Sequence, residues 1–132
     1  MSLSVLFLLV PTVVVAYHGQ EISISLDHAE FIPLGEEGNQ VNVFANYTVN
    51  DPSLLNQKIN SVMKVYATNG TLIKTSSSAE GFIVNQTGSQ RHVTTITNTK
   101  MENVIAVVQY TNLTKTAPLS NPLRSSDIRN RK

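Results

Sequence analysis

The run "VNVFANYTV", Val41 to Val49, alternates with period 2. Val41, Val43, Ala45, Tyr47 and Val49 share one face, and Asn42, Phe44, Asn46 and Thr48 take the other. That period fits a half-buried strand and cannot be sustained on one face of a helix. It recurs elsewhere. Ile22, Ile24 and Leu26 oppose Ser23, Ser25 and Asp27, and Ile59, Met63, Val65 and Ala67 continue the series. Near the C-terminus Val104, Ala106, Val108 and Tyr110 line one face; Ile105 and Val107 on the reverse mark an interior strand. No segment carries a sustained 3.6-residue apolar stripe.

The breaks between these runs, "PLGEEGNQ", "NDPSLLNQ", "TNG", "NQTGSQ" and "NTKMEN", carry turn chemistry. Asp51 is placed to cap one helical turn with Pro52 at its first position. In "KVYATNGTLIKT" the Asn69-Gly70 pair predicts a type I′ hairpin, with positive φ at both central residues. Ser76-Ser77-Ser78 reads as a loop. Pro118 and Pro122 place "TAPLSNPLRS" at a sheet edge, since proline cannot donate to a ladder. Seven or eight short strands at this spacing predict an all-β sandwich or barrel.

The segments "VNVFANYTV", "KVYATNGTLIKT", "NVIAVVQYTN" and "PLSNPL" resemble the immunoglobulin- or fibronectin-III-like β-sandwich modules of exported proteins. More loosely, the chain is similar to the uncharacterised secreted proteins of ammonia-oxidising archaea. The resemblance runs from roughly Glu21 to Arg124. It implies one sandwich of about seven or eight strands and brings no catalytic residues with it. The cysteine pair and core tryptophan of antibody domains are missing, because the chain has neither residue type. Fibronectin-III-like modules need neither.

Before this domain stands "MSLSVLFLLVPTVVVA", which has no charged side chain. An apolar run of this length ending in small residues reads as a signal peptide, with Val14 and Ala16 as the small-x-small cleavage site. It is short for a bilayer span, and Pro11 interrupts it; a short retained anchor is the alternative. The expected organisation is residues 1–16 as signal or anchor, 17–124 as the sandwich and 125–132 as a basic tail.

Composition excludes several classes. Without cysteine there are no disulfides, thiolate metal sites or cysteine nucleophiles. Ten basic against nine acidic residues leave no electrostatic footprint for nucleic acid. Four sequons, at Asn46, Asn69, Asn85 and Asn112, are possible N-glycosylation sites. Thirteen Asn and 26 Ser or Thr in 132 residues yield about 2.6 sequons by chance, so their placement at turns and off the core face matters more than their number. The three histidines are scattered, and His28 follows Asp27 at a strand end as a surface hydrogen-bonding pair. Cleavage after Ala16 would put His18 second from a free amine, where the two could chelate copper. Glu36 and Glu37 fall in a glycine-flanked turn lacking a calcium-loop pattern.

The expectation is therefore an exported, non-enzymatic binding or structural module, secreted or on the cell surface, with no cofactor and no metal site. It would work through a protein partner or self-assembly at a sheet edge, the Ile22–Leu26 strand being the candidate edge, with membrane contact through the N-terminal segment. Alternatives are an accessory subunit of a membrane or envelope complex, retained by that segment, and a small copper-binding exported protein.

Overall fold

The computed structural model describes residues 21–78, 80–97, 104–115 and 117–125. The 1–16 segment, His18, the "NTKMEN" turn and the tail from Ser126 onward lie outside the described residues. Eight strands are described: β1 (Ile22–Pro33), β2 (Asn39–Val49), β3 (Lys58–Ala67), β4 (Leu72–Ser77), β5 (Phe82–Ile83), β6 (Thr87–Ile96), β7 (Val104–Asn112) and β8 (Leu123–Arg124). They form two antiparallel sheets. The smaller has the order β1-β2-β6; the larger runs β4-β3-β7-β8, with β5 pairing the start of β3. This is the all-β sandwich that the alternation predicts.

Because successive side chains face opposite ways, each strand sends its apolar set inward. Val41, Val43, Ala45 and Tyr47 of the smaller sheet join Met63, Val65, Ala106, Val108 and Tyr110 of the larger in one buried core. Tyr110 is its aromatic centre, edge-on to Tyr47 at 6.2 Å and to Phe82 at 5.2 Å. Gly88 lies opposite Tyr47, and a Cβ there would sit 2.5 Å from the Tyr47 hydroxyl. Glycine gives the ring its room, and the hydroxyl accepts the Asn85 N–H at 3.1 Å.

The Asp51-Pro52 turn forms as expected: Pro52–Leu54 makes one 3-10 turn, with the Asp51 carboxylate accepting the Ser53 N–H. The bond from the Ser53 hydroxyl, then that from its amide, holds the Asp51 carboxyl below its usual range. The last strand is an edge, as the prolines require. It reaches β7 through a Thr111–Pro118 bridge and the two residues of β8. Ser120, between these two contacts, and Ser125, just past β8, substitute for a ladder. Their buried hydroxyls accept the Tyr110 N–H at 2.9 Å and the Ala106 N–H at 3.0 Å.

Four expectations are corrected. Gly70 has φ +93, while Asn56 is the one non-glycine residue with positive φ among the described residues, so Asn69 is not left-handed. The Gly70 N–H reaches the Ala67 carbonyl and the Ala67 N–H reaches the Thr71 carbonyl. The hairpin is thus a three-residue loop ending in a glycine bulge, not a type I′ turn. Ser76 and Ser77 belong to β4, because Ser76 pairs across to Met63 and bonds the Thr94 hydroxyl at 2.7 Å. "NQTGSQ" is half strand, since β6 begins at Thr87 to continue the ladder with Thr48. His28 sits within β1 rather than at its end, beside a bulge between Leu26 and His28.

Candidate functional site

The outward face of β7 carries Ile105 and Val107, which are half-buried although no third layer covers them among the described residues. Register supplies their neighbours. Lys64 of β3 opposes Val107, and Val107 opposes Arg124 of β8. One row across three strands therefore reads Lys64, Val107, Arg124, with the two cations about 10 Å apart at the backbone. The adjacent rows pair Tyr66 with Ile105 and Val62 with Gln109.

Together these residues floor a groove of about 670 Å³ on the outside of the larger sheet. The Ala67–Gly70 hairpin closes one end, and Pro118 and Pro122 form a wall on the β8 side. Ile105 to Thr111 spans six residue steps, so the floor is about 20 Å long. At its far end Thr111 is 5% exposed, and its hydroxyl has no hydrogen-bond partner. Two of the described lining residues are cationic and none is acidic. Gln109 is held in place by donating to the Ser120 carbonyl at 2.9 Å. An apolar trough with paired cations and one idle hydroxyl suits an extended, partly apolar ligand bearing negative charge. The described lining residues include no histidine or carboxylate to act as a general base.

The sequons are not gathered at one place. Asn46, Asn69 and Asn85 are exposed and Asn112 is half-buried at the end of β7. The Asn46 carbonyl oxygen accepts the Ser89 hydroxyl, and that of Asn69 accepts the Thr71 N–H. That of Asn112 accepts three bonds from Thr114 and Lys115. In each case the amide nitrogen, where a sugar would attach, is on the other branch of the side chain.

His28 stacks on Phe44 with ring centres 4.1 Å apart, its Nδ1 2.8 Å from the Asp27 carboxylate and its Nε2 3.7 Å from Glu30. Among the described residues no group of three or more histidines and carboxylates is placed to hold a metal ion. His92 is buried between the sheets, and burial lowers its pKa to about 4.

No family model matches the sequence. No curated protein matches it. Solved structures do. The chain is similar to part of Bacteroides uniformis beta-glucuronidase, at 15% identity and a TM-score of 0.51. The match covers 81% of this chain but 13% of that enzyme. A calcium binding mutant of Bacteroides uniformis beta-glucuronidase 2 gives the same figures. Parabacteroides merdae beta-glucuronidase matches at 10% identity and a TM-score of 0.45, again over 13% of its length. At such identity the likeness to the Bacteroides enzyme is one of fold, a β-sandwich.

Sequence reasoning missed the groove. The signal was present in Ile105 and Val107, apolar on the face opposite the core. They mark an interior strand, which β7 is, but between two described layers they also mark an apolar face that no described element covers.

Proposed function

We propose that this chain is an exported, non-enzymatic β-sandwich that works by contact, at the cell surface or outside the cell, through the groove on its larger sheet. The observation that carries the reading is the Lys64–Val107–Arg124 row, two cations astride an apolar floor that no other described element covers. The volume falls within the ~300–1,000 Å³ of ordinary ligand pockets. The uncharged apolar 1–16 segment supports export. The finer likeness to secreted archaeal proteins rests on sequence pattern alone.

The test is binding of extended apolar peptides that carry either acidic or basic residues, followed by fluorescence anisotropy. Acidic peptides should bind, and Lys64→Glu should weaken them by about tenfold or more, as like charges meeting at an interface do. Equal binding of basic peptides, or indifference to Lys64→Glu, overturns the groove as the contact site. Export has its own check. The mature chain should begin at or near Tyr17, and an intact mass that retains Met1 would count for the anchored alternative.

A further inference from the structure

We propose that the groove's occupant is a second copy of this chain, which inserts the tip of its β1–β2 hairpin. The inference rests on the reading of the groove as a contact site.

The tip is a built feature. β1 runs on to Pro33, and Gly35–Glu37 forms a 3-10 turn before β2 starts at Asn39. The Leu34 N–H donates to the Gly38 carbonyl at 2.8 Å, closing the loop. Phe31 and Ile32 are consecutive in the strand and so face opposite ways, yet each is 37% exposed. Apolar side chains uncovered on both faces of one hairpin are a contact surface awaiting cover. Beyond them Glu36 and Glu37 are exposed, and neither forms an ion pair among the described residues.

Tip and groove are complementary in each respect. Apolar Phe31 and Ile32 match the floor of Val62, Ile105 and Val107. Two carboxylates match Lys64 and Arg124, in a groove whose described lining has no acid to repel them. The buried Thr111 hydroxyl gains an acceptor from the incoming strand. Pro33 has no N–H to leave unsatisfied when it is covered.

The edge of β1 is another surface that could pair with a copy, but it is interrupted by the bulge at Leu26/His28. Its first amide, that of Ile22, is already bonded to the Leu119 carbonyl at 2.8 Å.

The hairpin belongs to the smaller sheet, while the groove lies on the far face of the larger, so a chain cannot fill its own groove. The contact joins two different surfaces. Each added copy leaves one tip and one groove open, which generates rings or open chains.

Charge reversal tests this in the full chain. The tip variant is Glu36→Lys with Glu37→Lys; the groove variant is Lys64→Glu with Arg124→Glu. By sedimentation velocity, the parent chain should grow in mass with concentration. Each variant alone should need about tenfold or more concentration to assemble. An equal mixture should assemble again into alternating chains, because the groove variant's acidic tip matches the tip variant's basic groove and the tip variant's basic tip matches the groove variant's acidic groove. A chain carrying all four reversals should assemble again. A parent chain that stays monomeric, assembly that persists in both variants, or a mixture of folded variants that fails to co-assemble would each overturn the proposal. If an acidic apolar peptide still binds and Lys64→Glu still weakens it, the second-copy occupant is wrong while the contact site stands. If that binding is lost too, both readings fall.

Discussion

The Nε2 of His92 lies 3.1 Å from the hydroxyl of Tyr110, joining β6 of the smaller sheet to β7 of the larger across the core. The two rings meet edge to face at 5.4 Å. Burial lowers the pKa of His92 to about 4, and burial, then the neighbouring Tyr47, raises that of Tyr110. Both groups are therefore held neutral.

A pH dependence follows with a definite sign. His92 has a folded pKa below its unfolded value of about 6.5, so the unfolded chain binds the proton more readily. Stability from this group is complete above pH 6.5 and falls as pH drops toward 4, by about 3 kcal/mol in all. His92→Gln, which keeps a polar group but cannot take up the proton, should flatten that slope. Urea midpoints for both proteins between these pH values provide the check.

Gly70 and Asn69 should respond differently. Gly70→Ala forces a side chain into the left-handed region at φ +93 and should cost about 1 kcal/mol. Asn69→Ala loses only the exposed bond from the Thr71 N–H and should cost about 0.5 kcal/mol. Equal losses in melting midpoint would restore the two-residue turn.

Asn42 is a sharper case. It faces away from the core but is 2% exposed, between Glu30 and Val93 on the flanking strands. Its Nδ2 donates to Gln40 Oε1, while its Oδ1 has no partner. Asn42→Asp buries a charge there and should cost about 3 kcal/mol. Asn42→Val removes the idle oxygen and should change stability by less than about 1 kcal/mol. Thermal melts of the pair decide it; a harmless Asp would show that this face is wet.

Ser120→Ala should cost about 1–3 kcal/mol, because it strands the buried Tyr110 N–H. Ser89→Ala removes an exposed hydroxyl and should stay within about 0.5 kcal/mol. Denaturant unfolding that ranks them the other way would show that β7 finds another acceptor.

What the chain reveals by inspection is what depends on neighbours in sequence. Val41 to Val49 announced their buried face because alternation is local, and Asp51-Pro52 announced a turn for the same reason. Asn69-Gly70 located a hairpin but not its type, since one dipeptide serves both a two-residue loop and a glycine bulge. Asn42 reads as surface, because its cover comes from side chains on β1 and β6. Ser120 and Ser125 read only as part of a sheet-edge segment, because the amides they satisfy lie on β7. The groove needs Lys64, Val107 and Arg124 in one row, a register set between strands far apart in the chain.

The bond from the Ile22 amide to the Leu119 carbonyl has a mechanical consequence. It places the start of β1 beside the end of β7, so β1 and the arm from Leu119 to Ser125 run the same way along the sandwich. Tension between residues 21 and 125 would thus act lengthwise on β1. The rungs it shares with β2, from Ile22–Val49 to Pro33–Asn39, would be loaded together in shear instead of peeled one after another.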